Sequence, residues 1–285
     1  MFVIPSDGRR RFIKLRAMNG FEKHGIEHLS ASTINNIINN PARVIAEKLF
    51  GVDFPMPAAV DRGNAVETAV EDVLLGKKKL TQAVDDALVE FDRATGKKLN
   101  DTTVDKERGQ IGTMAEIALD ALRPYGRLLP PPPVSEDNPR GQHAIKLFLK
   151  SITGLWRLPV IGFLDFVFEA PPGRENPVIV DLKTTNRLPG VAMPLDHQRQ
   201  RAVYAKARNN YDIEFAYVSA HGAKVLADGD VSEHLVIMKN AALRFEKFLA
   251  LGDAKTLAAV VPVDPLHRDF KSLEGREALK NYFHF

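Results

Sequence analysis

The stretch from Pro159 to Tyr204 decides the fold, and it reads PVIGFLDFVFEAPPGRENPVIVDLKTTNRLPGVAMPLDHQRQRAVY. It contains two runs rich in Val, Ile and Phe, separated by a Pro-Pro-Gly loop that ends at Gly173. Apolar runs on either side of a Pro/Gly loop are typical of an antiparallel β-hairpin. A polar connection follows the second run, and from near His197 the residue spacing predicts a helix.

Three charged residues interrupt the apolar runs: Asp165 in the first, and Asp181 and Lys183 in the second. If the turn is centred on Gly173, the two aspartates lie eight residues on either side of it and face each other across the ladder. Such partners are about 5 Å apart at Cβ, and Lys183 shares the face of Asp181 because side chains alternate along a strand. Burying charges is costly unless they are paired or bind a metal. The alternative is a salt bridge on a solvated face.

A second acidic pattern lies on a predicted helix at residues 58–75. Glu67 and Glu71 are four residues apart, so they share one helix face, and Gly63 lies one turn earlier, where a small residue permits close approach. Like charges at this spacing repel each other, which favours a compensating cation or metal. Two solvated glutamates on an amphipathic helix are the alternative.

The remaining chain alternates between helical and strand-like patterns. Residues 1–28 are basic and lack periodicity, so we expect an arm. A helix is predicted from Ser30 or Ser32 to Leu49, with a break at Pro41. Further helices are predicted at 81–94, 103–123 and 240–251, strands at IEFAYVSAH (213–221) and EHLVIM (233–238), and either type at 142–158. Together these elements predict an α/β or α+β domain with a helical N-terminal portion.

Composition excludes several classes of protein. The chain of 285 residues contains no Cys, which rules out disulfides, thiol catalysis, cysteine zinc sites and cysteine-ligated iron–sulfur clusters. The net charge of +3 is compatible with a nucleic-acid partner but only weakly favours one. No apolar stretch approaches the length of a membrane span, and the N-terminus lacks a signal-peptide pattern. We therefore expect a cytoplasmic protein, or one in a host-cell interior, without a membrane partner.

The predicted helix after the hairpin carries polar residues in a regular pattern. His197, Gln200 and Tyr204 are spaced three and four residues apart, so they share one face. We expect His197 to be a cap or a surface residue, and Tyr204 to be either a core aromatic or a site residue. Arginine donors suited to phosphate contacts lie on the same segment, at Arg199, Arg201 and Arg208.

Taken in order, these motifs resemble those of the PD-(D/E)XK nuclease superfamily, and its RecB-type and lambda-exonuclease-like branches most closely. The matching segments are LSASTINN (29–36), RGNAVETAVE (62–71), GFLD (162–165), VIVDLKTT (178–185) and QRAVY (200–204). Leu164 stands where the superfamily's eponymous proline would be, and Glu67 occupies a position that is His in many RecB-like enzymes. Asn40 stands where some relatives carry a cluster-binding cysteine, so no iron–sulfur cluster is expected.

The resemblance implies a restriction-endonuclease-like fold, in which a mixed central sheet is flanked by helices. The domain would span residues 29–260, after the arm at 1–28 and before a C-terminal extension at 261–285. One or two Mg²⁺ or Mn²⁺ ions would be bound by Glu67, Asp165, Asp181 and the carbonyl of Leu182. Lys183 would orient or activate the water and offset negative charge, while Gln200 and Tyr204 would position the scissile phosphate or the lysine. Nucleic acid would contact Ser32, Arg199, Arg201 and Arg208.

The function implied is that of a metal-dependent DNA exonuclease without sequence specificity. Its substrate would be single- or double-stranded DNA, in recombination, repair or replication, and a phage module is one setting for such an enzyme. A helicase or recombination protein is a candidate partner. Three alternatives stay open: a structure-selective or site-specific endonuclease on the same fold, a catalytically silent module that binds DNA or a partner protein, and an unrelated Mg²⁺-dependent phosphohydrolase acting on small substrates.

Overall fold

A computed structural model describes residues 18–96, 102–135, 141–150 and 157–285 of the chain. Residues 1–17 of the expected basic arm lie outside these residues. The helices are α1 (Gly20–Lys23), α2 (Ala31–Asn39), α3 (Pro41–Leu49), α4 (Ala58–Leu74), α5 (Leu80–Ala94), α6 (Thr102–Gly109), α7 (Ile111–Leu122), α8 (Leu195–Ala207), α9 (Val231–Ala250), α10 (Ala254–Val260) and α11 (Leu273–Ala278). The strands are β1 (His143–Lys150), β2 (Arg157–Leu164), β3 (Phe166–Phe168), β4 (Val178–Thr184), β5 (Asp212–Ser219) and β6 (Gly222–Leu226).

The central sheet is mixed and has the strand order β3-β4-β5-β6. β4 pairs antiparallel with β3 and parallel with β5, and β6 completes the sheet as an antiparallel edge strand. The hairpin between β3 and β4 pairs Phe166 with Val180, which is the register predicted from a turn centred on Gly173. β1 and β2 form a separate two-stranded antiparallel sheet. The architecture agrees with the mixed α/β class expected from the sequence.

Two hydrophobic layers cover the two faces of this sheet. Because side chains alternate along β4, Val178 and Val180 pack against the layer formed by α4 to α7, while Ile179 belongs to the opposite layer with α2, α8 and α9. Asp181 and Lys183 continue the face of Ile179. The sheet therefore presents its charged residues to α8, at the end of β4 where the apolar run stops.

The chain changes sheets at Asp165. The first apolar run was expected to be one continuous strand, but β2 ends at Leu164 and β3 begins at Phe166, with a bend between them. β2 pairs with β1, whereas β3 pairs with β4. The bend leaves the Asp165 side chain beside the ladder rather than within it.

Three further expectations are corrected by the structure. EHLVIM is part of α9 rather than a strand, because the buried residues of this segment recur at helical spacing, from His234 and Met238 to Leu249. β6 was not predicted, and its alternating half-buried pattern is that of an exposed edge strand. Residues 20–28, which were expected to belong to the arm, contain α1, whose Phe21 is only 1% exposed and packs in the core.

The segment at 261–285 also contributes to the core. Val261, Phe270 and Phe283 are buried in the same cluster as α2, α3 and α9. Polar contacts attach the segment to α3, where Arg43 NH1 lies 2.9 Å from Asp269 Oδ1. Within the described residues, no helix has both the length and the apolar character that crossing a membrane requires.

Candidate active site

The structure brings the two strand aspartates together at one end of β4. Asp165 Oδ2 accepts a hydrogen bond of 2.9 Å from the backbone N–H of Leu182. Because β3 begins only at Phe166, the ladder offers this N–H no strand partner, and the carboxylate takes that place. Asp181 is 1% exposed, and its Oδ1 accepts a 3.0 Å hydrogen bond from Gln200 Nε2. Each carboxylate is therefore fixed by at least one donor.

Lys183 forms an ion pair with Asp181 Oδ2 on the face of the sheet that α8 covers. Its ammonium also lies 5.5 Å from the ring centroid of Phe215, on the neighbouring strand. Burial acts to lower the pKa of Lys183, but the carboxylates of Asp181 and Asp165 outweigh it, so that this pKa is raised above its ordinary value. The lysine is therefore an ammonium at neutral pH, which the sequence alone left open.

Gln200 and Tyr204 connect α8 to the aspartates through a chain of hydrogen bonds. Gln200 Nε2 donates to Asp181 Oδ1 and, at 2.6 Å, to the Tyr204 hydroxyl. The hydroxyl donates in turn to the Phe163 carbonyl at 2.9 Å. A Cβ at Gly162 would lie 3.0 Å from Tyr204 Cε1, so glycine favours this close approach. Burial raises the pKa of Tyr204 well above its ordinary value, which keeps the phenol protonated as a donor.

Glu67 reaches the same region from α4. Burial, followed by the charge of Asp181, raises the pKa of Glu67 to about 7. Burial, with the charges of Asp181 and Glu67, also raises the pKa of Asp165 well above its ordinary value. The close approach expected at Gly63 is present, since a Cβ there would lie 3.1 Å from Thr184 Oγ1. Three acidic groups thus share a region in which one ammonium does not neutralise all of them.

Two adjoining cavities open onto these residues, with volumes of about 410 Å³ and about 700 Å³. Ser32, Phe163, Asp165, Lys183 and Gln200 line both of them. A third cavity of about 560 Å³ lies between α2 and α9, but its lining contains no acidic residue. We therefore place the candidate chemistry at the paired cavities around Asp165.

A model of the PD-(D/E)XK nuclease superfamily matches residues 28–254, and the match runs through all of the elements that build this site. The chain belongs to this superfamily. Membership of this superfamily suggests that the protein is a nuclease, and a nuclease of this family implies DNA as the substrate. No curated protein matches the sequence. Among solved structures, the crystal structure of SSO0001 is similar at 10% identity and a TM-score of 0.29, over 40% of this chain and 59% of that chain, less than two thirds of its length.

Members of the PD-(D/E)XK superfamily generally use Mg²⁺ or Mn²⁺, and the donor atoms at this site are of the hard oxygen type that these ions prefer. Among the described residues, Asp165 Oδ1 and the Glu67 carboxylate have no hydrogen-bond partner. The N–H and C=O of one strand residue point the same way, so the Leu182 carbonyl faces the edge where Asp165 lies. No three acidic or histidine side chains of the described chain form a ready-made ligand group. The oxygen donors of Glu67, Asp165, Asp181 and Leu182 suit a divalent cation chemically. The side chains must turn for all of these donors to reach one ion.

The predicted nucleic-acid contacts are only partly at the cavities. Ser32 lines both, and its hydroxyl bonds to Ser30 Oγ at 2.8 Å. Arg199 is 9% exposed and donates to Asn35 Oδ1 and Asp196 Oδ1. The other two arginines donate to backbone carbonyls: Arg201 to Ile213 and Gly229, and Arg208 to Ala144. In this arrangement the arginines join α8 to its neighbours, and none of them lines either cavity.

The sequence argument missed two residues that shape the site. Arg62 was noted only within a motif, yet it is 1% exposed and donates to Glu107, Gln110 and Asn186, which ties α4 and α6 to the loop after β4. His197 was expected to be a cap or a surface residue, but its ring packs against Phe215 on β5. The signal that could have revealed Arg62 is its position one turn before Val66, on the otherwise apolar face of α4.

Proposed function

We propose that this protein is a metal-dependent DNA exonuclease without sequence specificity, of the RecB-type and lambda-exonuclease-like branch. The observation that carries the proposal is the convergence of Asp165, Asp181 and Lys183 at the end of β4, with Glu67 beside them and two adjoining cavities in front. The hydrogen-bond chain through Gln200 and Tyr204 supports the assignment to this branch, because it gives both motif residues a role at the carboxylates.

In this proposal Glu67, Asp165, Asp181 and the carbonyl of Leu182 hold one or two Mg²⁺ or Mn²⁺ ions. A bound divalent ion supplies Lewis-acid stabilisation of charge on the phosphoryl oxygens. The remaining tasks fall to the side chains of this chain. Gln200 holds Asp181 in its rotamer, and Tyr204 anchors Gln200 to the backbone of β2.

Lys183 orients or activates the attacking water and offsets negative charge. Its ammonium is paired with Asp181 Oδ2 and can donate hydrogen bonds to a water molecule or to a phosphate oxygen. In other enzymes, removing a single donor that is directed at developing negative charge lowers kcat by about 10²–10³-fold. Phosphate and metal contacts carry no base information, which is the reason for proposing cleavage without sequence specificity.

The biological setting is part of the same proposal. A helicase or recombination protein would deliver DNA ends to the cavities, in recombination, repair or replication within the cytoplasm of the cell or of a phage-infected host.

The test uses end-labelled linear DNA, single- and double-stranded, beside a covalently closed circle, with Mg²⁺, Mn²⁺ or EDTA. We expect metal-dependent loss of linear DNA only, reduced at least about a hundredfold in Lys183→Ala. Lys206→Ala is the matched control, because Lys206 lies exposed on α8 and should leave the rate unchanged. Nicking of the circle would instead indicate the endonuclease. Binding without cleavage in any metal would indicate the silent module.

A further inference from the structure

His197 has a position that the proposed roles of α8 do not explain. It shares the helix face of Gln200 and Tyr204, and its ring is held against the sheet by Phe215, at a centroid distance of 5.7 Å, and by Tyr217, at 5.5 Å. Its Nδ1 lies 2.7 Å from the Tyr217 hydroxyl. An imidazole fixed by two aromatic rings and one hydrogen bond has a defined orientation, which a surface residue does not need.

The Tyr217 hydroxyl determines which ring nitrogen carries the proton. Tyr217 is 2% exposed, and among the described residues Nδ1 of His197 is the hydrogen-bond partner of its hydroxyl. If Nδ1 donated, the buried phenolic proton would have no acceptor, and leaving a buried donor unbonded is the costlier arrangement. The tyrosine therefore donates to Nδ1. In a neutral imidazole the proton then lies on Nε2.

Nε2 is the ring nitrogen left to face the larger cavity, because Nδ1 is bonded to Tyr217. His197 lines this cavity together with Lys183, Glu67 and Asp165. Among the described residues, no protein atom forms a hydrogen bond with Nε2. Nε2 is not fully enclosed either, so a bound molecule can reach it. The charged groups around the ring are Lys183, Asp181 and Asp196, and burial together with Lys183 lowers the pKa of His197 to about 4. The ring thus offers a neutral N–H to whatever occupies the cavity.

We propose that His197 is a substrate-binding residue that donates its Nε2–H to a non-bridging phosphate oxygen of the bound DNA strand, and that Tyr217 is the positioning residue that fixes this tautomer. A phosphate is an acceptor that suits a cavity lined by the Lys183 ammonium and by the neutral amides of Asn36 and Asn64. The inference rests on the proposed function, because it takes DNA as the occupant of the cavity.

Two nearly isosteric substitutions separate donation from packing. The amide nitrogen of Gln reaches approximately the position of Nε2, whereas that of Asn reaches approximately the position of Nδ1. We expect His197→Asn to raise the Kd for short single-stranded DNA, and the KM for cleavage, by roughly tenfold, as for one lost bond to a charged acceptor. His197→Gln should stay within roughly threefold of the wild type for the same reason. A purely structural role would lower the melting temperature in both variants and would not separate them.

The contacted phosphate is found by replacing phosphates with neutral methylphosphonates one at a time. At one position the methylphosphonate should raise the Kd of the wild type but not that of His197→Asn, because this variant has already lost the same hydrogen bond. Nitrogen-15 spectra of labelled histidine should show His197 with a bare Nδ1 in the wild type and a mixture of tautomers in Tyr217→Phe.

The outcomes separate this inference from the proposed function. Binding is measured in EDTA and cleavage separately in Mg²⁺ or Mn²⁺. A wild type that binds DNA in EDTA but cleaves none in either metal refutes the nuclease and still tests His197. Equal Kd values for the wild type and His197→Asn would overturn the inference, as would a protonated Nδ1 in the wild type. A wild type that neither binds nor cleaves DNA would overturn both proposals.

Discussion

Arg62→Met should be among the most destabilising single substitutions in this chain. Arg62 and Glu107 form an ion pair in which the side chains are 1% and 5% exposed. Arg62 NH1 also donates to Gln110 and Asn186 at 3.0 Å. Burial lowers the pKa of Arg62, while the charge of Glu107 acts against that shift.

Removing the arginine leaves a buried carboxylate without its counter-ion, which costs about 3–5 kcal/mol. Replacing both partners by apolar side chains removes both desolvation costs, so Arg62→Met/Glu107→Leu should lie within about 2 kcal/mol of the wild type. The free energy of unfolding is measured by urea titration for the wild type, both single variants and the double variant. The interaction energy from this cycle should exceed about 2 kcal/mol.

The matched control is Arg93→Met. Arg93 pairs with Glu90 on the surface of α5, where the two side chains are 79% and 57% exposed, and water replaces the lost partner there. We expect no measurable loss of stability in this variant. The reasoning would be refuted if Arg62→Met cost less than about 1 kcal/mol, or if the two single losses simply added in the double variant.

Two further predictions follow from the site. Tyr204→Phe removes the donor to the Phe163 carbonyl and the acceptor for Gln200. It should lower the free energy of unfolding, measured in urea, by about 1 kcal/mol. Because Gln200 is then displaced, kcat for cleavage should also be lower than in the wild type. His197 has a pKa of about 4 in the folded protein against 6.5 in the unfolded chain, so the unfolded state takes up its proton first as the pH falls. Between pH 6.5 and 4 the wild type should therefore lose up to about 3 kcal/mol of its free energy of unfolding relative to His197→Gln. Free energies of unfolding that fall in parallel with pH in the two proteins would contradict this assignment.

Local patterns were sufficient for most of the helices and for the register of the hairpin. Ser30 caps α2, and Asn40 with Pro41 begins α3, because these signals act within one turn of the chain. The strand predicted for EHLVIM was wrong because the helical signal there extends over a much longer stretch of the chain. Six apolar-rich residues match a strand within a short window, and only the full length of α9 shows the helical period.

The sequence by itself determined that Asp165, Asp181 and Lys183 would share one patch, because strand alternation and the turn at Gly173 place them by counting along the chain. Tertiary structure decided their surroundings. The break at Asp165, the inward-bonded arginines of α8 and the Tyr217 hydroxyl beneath His197 all depend on contacts between segments far apart in sequence. Periodicity says which face a side chain occupies, whereas its partners, its burial and hence its charge state are set by whatever the folded chain brings against that face.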